Sequence, residues 1–104
     1  MPITTIDGHD LHVDDEGFLT KPDEWDDDVA RSLARQIGVS LTEDHWRAIR
    51  FLRDDYERQG ETATLRRVAA FSGISIKQLF QLFPQKPAKK LAYVSGLPKP
   101  HGCV

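Results

Sequence analysis

Residues 65–84 read LRRVAAFSGISIKQLFQLFP, two short helix-like runs separated by one glycine. Thr64 to Phe71 reads as a helix that stops at Ser72-Gly73. Ser75 then caps a second helix that runs to Phe83 and is ended by Pro84. Ile76, Leu79, Phe80, Leu82 and Phe83 cover much of the circumference of that second helix, which predicts that it is largely buried. Two short helices joined by a tight glycine turn form a helix-turn-helix-like pair.

Upstream, Thr42 to about Gln59 predicts a longer helix with a buried stripe of Trp46, Ile49, Leu52 and Tyr56. Ser40 and Glu43 are spaced as a capping box, and Gly60 is the stop. Its other faces carry Arg47, Arg50, Arg53, Asp54, Asp55 and Glu57, mostly pairable within one turn. His45 has no second ligand at metal spacing and reads as a surface or half-buried histidine. Before it, KPDEWDDDVARSLARQIGV predicts another helix, with Pro22 in the first turn and acids at the favoured end of the macrodipole. Trp25, Val29, Leu33 and Ile37 recur every four residues there, and Gly38 ends the run. The chain starts as a hairpin, Ile3 to Ile6 and Leu11 to Val13 around Asp7-Gly8, with a second turn at Asp15-Glu16-Gly17 before Phe18-Leu19. Downstream, PQKPAKK reads as a basic linker and LAYVS as a short helical or extended piece.

The expected class is therefore α+β, mostly α. A hairpin region over residues 1–20 packs on an orthogonal bundle of four to five helices over 21–91, followed by a mobile, extended C-terminal arm over 92–104. At 104 residues, 39% of them apolar, this is a single domain with a modest core. No apolar run is long enough for a bilayer, MPITTIDGHD lacks the features of a secretory signal, and one cysteine forms no internal disulfide. A reduced, cytoplasmic protein that contacts no membrane is the natural reading.

The formal charge of −2 hides an asymmetry: all sixteen acids precede Thr62, and seven Lys or Arg with no acid follow it. Either an acidic half folds against a basic half, or the basic half meets an anionic partner. The helix pair resembles the DNA-binding segment of TetR-type repressors, in which case Ser75, Lys77, Gln78 and Gln81 would face the groove. Against DNA stand the single basic residue of the second helix, its apolar character, the acidic chain as a whole, and the lack of a sensing segment. There is no phosphate-binding glycine loop and no triad spacing. The paired His9 and His12 and the Asp26–Asp28 cluster do not have the look of metal ligands, so neither a metal nor a cofactor is expected.

The last nine residues, GLPKPHGCV, hold the only cysteine, Cys103. Pro98 and Pro100 bias this stretch toward extended geometry, Gly96 and Gly102 supply hinges, and Lys99 and His101 flank the thiol. The tail closely resembles the C-terminal arm of the DsrC/TusE family. The segments DGHDLHVDDEGFL, DEWDDDVARSLA and LTEDHWRAIRFLRDDY carry that likeness over the rest of the chain. The resemblance implies a sulfur carrier, a sulfurtransferase acting as a persulfide relay through Cys103. A TusBCD-like complex is the implied donor, and a tRNA 2-thiouridine synthase or a sulfite reductase-like protein the implied acceptor, so nucleic acid is met only indirectly. Members that serve dissimilatory sulfite reductase have a second cysteine eleven positions earlier. Here that position is Ala92, which leaves single-thiol chemistry. Arg66, Arg67, Lys77, Lys86, Lys89 and Lys90 are the expected partner-docking residues. An ordinary thiol of pKa about 8.5 is only slightly ionised at neutral pH, so activation is expected mainly from the partner's pocket. The competing readings are a DsrC-like or regulatory paralogue, and a helix-turn-helix DNA-binding protein.

Overall fold

The computed structural model describes residues 2–100. It is mostly helical, with five α-helices and a two-stranded antiparallel sheet at the N-terminal side, as the sequence predicts. Strands β1 (Ile3–Ile6) and β2 (His9–His12) pair with Ile6 opposite His9, so Asp7 and Gly8 alone make the turn. Both have positive φ, 50° and 83°, the geometry that matches strand twist and that Asp-Gly accommodates. The second strand begins two residues earlier than expected, and Val13 instead bridges Leu19 across the next turn. Asp14 builds that turn by accepting the Glu16 and Phe18 amides on its Oδ1. Leu11 of β2, together with Val13, Phe18 and Leu19 beyond it, enters the core.

The first predicted helix is interrupted. Pro22–Glu24 form one 3₁₀ turn, Trp25 is extended, and α1 (Asp27–Gln36) starts afresh from Asp26, whose carboxylate accepts the Val29 amide at 2.9 Å. Trp25 is thus not part of the helical stripe. Its indole is drawn away to the carbonyl of Val94, a long-range contact that local periodicity does not encode. The 3₁₀ turn is fastened to the hairpin by Glu24, which accepts the His12 amide at 2.9 Å and meets His12 Nδ1 at 2.7 Å.

Helix α2 (Glu43–Gln59) is capped by Thr42 and His45 rather than by Ser40 and Glu43. His45 Nδ1 accepts from the Thr42 amide at 3.0 Å, so the proton sits on Nε2, which donates to the Leu82 carbonyl at 2.8 Å. The histidine is buried, not half-exposed, because it ties the start of α2 to the Leu82 carbonyl. Ala48, Ile49, Leu52 and Asp55 form the buried face, with Trp46 and Tyr56 at its margins.

Helix α3 (Leu65–Ser72) is capped by Thr64, and α4 (Ile76–Leu82) by a reciprocal Ser75–Gln78 box. Gly73 at φ 80° makes the turn between them, and buried Ile74 pins it. Helix α4 is not largely buried. Leu79 alone of its residues is, while Ile76 and Phe80 remain 44% and 46% exposed. A seven-residue helix on the periphery has one inward face, so an apolar circumference does not imply burial. The basic linker is also corrected: Pro87 opens α5 (Pro87–Val94), and Lys89 and Lys90 lie within it. This helix packs against α1, α2 and α4 and buries Pro87, Leu91, Ala92 and Val94. Among the described residues no helix is long and apolar enough to cross a membrane.

Candidate functional site

The tail leaves α5 through a glycine stop. The Ser95 amide donates to the Leu91 carbonyl, and the Gly96 amide to Tyr93. The Leu97 amide then reaches back to Ala92 at 3.1 Å. Gly96 has φ 68°, and a Cβ there would lie 2.4 Å from Cδ1 and 2.7 Å from Cβ and Cγ of Trp25. Glycine is needed twice over, for backbone sign and for clearance.

Trp25 and Arg53 clamp this exit. The indole N–H donates to the Val94 carbonyl at 2.8 Å. The Arg53 guanidinium lies 4.0 Å from the Trp25 ring centroid, close enough for cation–π attraction. Its Nη1 donates to Ser95 O at 2.6 Å and its Nη2 to Pro22 O at 3.1 Å. Partial burial lowers the Arg53 pKa, with the Glu57 charge opposing, but a guanidinium stays charged at neutral pH. Farther along, Thr62 Oγ1 donates to Pro98 O at 2.8 Å, and Lys99 Nζ donates to Glu16 at 3.2 Å. Leu97 and Pro100 are buried. The arm therefore does not start at residue 92. Ala92 to Val94 belong to α5, and residues 95–100 are fixed to the body. Gly96 is a packed corner rather than an open hinge, and Lys99 is held by Glu16.

Cys103, His101 and Gly102 lie outside the described residues. The last described residue, Pro100, is buried. Ala92 is fully buried in α5, so the position offers a methyl group to the core and no sulfur.

The expected docking residues are not brought into one surface. Arg67 binds Asp55 with Nε at 3.0 Å and Nη2 at 2.8 Å. This pairing raises the Arg67 pKa and satisfies a carboxylate that is 0% exposed. Arg67 is thus first a structural partner joining α3 to α2. Arg66 and Lys77 stand on α3 and α4. Lys86, Lys89 and Lys90 come together around a depression of about 370 Å³ that Phe18, Ile37 and Tyr93 also line. Sequence reading missed Trp25, Arg53, Thr62 and Glu16 as partners of the tail. Nothing local in the sequence marks these bonds: Arg53 has the ordinary spacing of a surface charge on an amphipathic helix, and its partners lie more than thirty residues away.

A family model described as "DsrC like protein" matches residues 5–104. The chain belongs to the DsrC-like family. It is 34% identical to the dissimilatory-type sulfite reductase subunit gamma of Nitratidesulfovibrio vulgaris over 105 residues, covering all of both chains. It is 32% identical to Sulfurtransferase TusE of Photorhabdus laumondii over 112 residues, again covering all of both. The crystal structure of the oxidised gamma subunit, DsrC, from Archaeoglobus fulgidus superposes with a TM-score of 0.84 at 36% identity, over 99% of this chain and 100% of that one. The DsrC-like fold read from the tail and its companion segments is thus confirmed, and the family includes sulfurtransferases.

Proposed function

We propose that this protein is a single-thiol sulfur carrier whose working atom is Cys103 Sγ. The observation that carries the reading is the anchored root: Trp25, Arg53, Thr62 and Glu16 hold residues 94–99, so the residues beyond set out from a fixed point. Cys103 as thiolate attacks the outer sulfur of a donor persulfide, R–S–SH. A new S–S bond forms, the donor S–S bond breaks, and R–S⁻ leaves with the electron pair and takes up a proton. The product is Cys103–S–SH. An acceptor thiolate repeats the exchange and regenerates Cys103, with no net oxidant or reductant.

With alanine at 92 and no other cysteine in the sequence, both exchanges are intermolecular. That favours a TusE-like relay, from a TusBCD-like donor toward a tRNA 2-thiouridine synthase. The identity to a sulfite reductase gamma subunit supports a second reading with a different acceptor. DNA recognition by α3–α4 is disfavoured, since Lys77 is the one base on α4 and Ile76 and Phe80 share its exposed surface. The test is 2-thiouridine content of tRNA in cells whose own carrier is deleted. The wild-type chain is expected to restore it and Cys103→Ser is not. Full restoration by the serine variant would defeat the reading, and failure of both proteins would favour the sulfite reductase acceptor.

A further inference from the structure

The part of the chain without acids concentrates three lysines at one concavity. Lys86, Lys89 and Lys90 line it together with Phe18, Ile37 and Tyr93, and Glu16 and Gly17 complete its rim. Phe18 and Tyr93 meet edge to face with centroids 6.2 Å apart, a favourable aromatic geometry that forms one apolar wall. Among the described residues, the ion pairs of this region involve neither Lys86 nor Lys89; Lys90 donates to the Pro84 carbonyl at 2.5 Å. Glu16 is the acid of the rim, and Lys99 neutralises it at 3.2 Å. The concavity is therefore positive and apolar at once, and it opens beside the anchored root of the arm.

We propose that this depression docks an acidic segment of a partner protein that inserts one apolar side chain between Phe18, Ile37 and Tyr93. Its use in sulfur relay rests on the carrier reading above; the binding itself does not. A protein segment fits better than nucleic acid. A phosphate backbone asks for a stripe of cations, whereas Arg66 and Lys77 stand on other elements and do not line the depression. An apolar side chain supplies the affinity, and the lysines select the charge of its neighbours. Docking there sets the partner against Lys99, four residues before Cys103.

The test is an NMR titration of the full chain with an eight-residue synthetic peptide, seven Asp or Glu around one central Leu. A Leu→Ser version of the peptide and oligouridylate serve as comparison probes. The acidic Leu peptide is expected to shift the amides of Phe18, Lys89, Lys90 and Tyr93. Its affinity should fall about tenfold for the Ser peptide, the cost of leaving one aliphatic side chain unburied. It should fall at least about tenfold in Lys86→Glu/Lys89→Glu, with Lys86→Gln/Lys89→Gln giving a smaller loss should the reversal variant fail to fold. Shifts centred on Phe71, Ile76 and Phe80, unchanged affinity in the folded variants, no binding by the peptide, or stronger effects of oligouridylate at the same lysines would each overturn the proposal. Loading of Cys103 by a small-molecule persulfide in the same samples reads the carrier function separately. Loading without peptide docking defeats this inference alone, and docking without loading defeats the carrier reading alone.

Discussion

Replacing Gly96 by alanine tests the arm's anchor through a single methyl group. The backbone there has φ 68°, and the new Cβ would fall 2.4 Å from Trp25 Cδ1. A left-handed conformation costs an L-residue about 1–2 kcal/mol. The overlap adds to this, since forcing extra volume into a packed site costs about 1–3 kcal/mol. Trp25 has no cheap retreat. Moving it breaks the bond to the Val94 carbonyl and the stack under Arg53, which together contribute a similar sum. Gly60 supplies the control, because it also follows a helix at φ 76° but has nothing within 4 Å of its would-be Cβ. Gly60→Ala should cost about 1 kcal/mol and Gly96→Ala about 3 kcal/mol in urea unfolding. The latter is a large part of the roughly 5–15 kcal/mol that stabilises a domain of this kind. Equal losses in the two variants, within about 0.5 kcal/mol, would refute the contact argument.

Arg53→Met should loosen the arm's root while leaving the helices intact. Loss of the charged bond to Ser95 O, taken at the low end of about 1.5 kcal/mol because the guanidinium is partly hydrated, predicts about tenfold faster exchange of the Leu97 amide. Unchanged exchange would show that Arg53 does not hold the exit. His45→Ala removes a cap and leaves the Leu82 carbonyl without its donor, so unfolding free energy should drop by about 2–4 kcal/mol. A drop below about 0.5 kcal/mol would contradict the structural role. The Glu24 pKa is lowered, first by the His12 amide and then by its ring. A depressed carboxylate stabilises the fold above its unfolded pKa of about 4.3 and loses that contribution as pH falls through the lower folded value. The stability gap between wild type and Glu24→Gln should therefore be full at neutral pH and narrow as pH falls below the unfolded value of about 4.3; a gap constant with pH would exclude this linkage.

The parts of the fold governed by neighbours in sequence were legible. Asp7-Gly8 fixed a two-residue turn, Ser75 capped α4, and Gly60 and Gly73 ended helices at positive φ. What escaped depended on distant partners. Trp25 has the spacing of an α1 core residue, yet its indole binds a carbonyl 69 positions away. Lys89 and Lys90 looked like linker until Pro87 proved to be the first residue of α5. Ile76 and Phe80 predicted burial because hydrophobicity reports preference, and the outward side of α4 finds no covering element among the described residues. For the site, the lone Cys103 and the tail around it were readable directly, whereas Arg53 and Thr62 carry no local mark of their bonds to Ser95 and Pro98.

The central claim is that one sulfur atom rides on Cys103 and moves on to another thiol. Intact-mass measurement follows it directly. Incubation with a persulfide donor should add about 32 Da, one sulfur, to the wild-type chain, and an acceptor thiol should remove it with first-order loss of the heavier species. Cys103→Ser should show neither change. A persistent gain in Cys103→Ser, or a wild-type gain that no thiol can remove, would contradict the account.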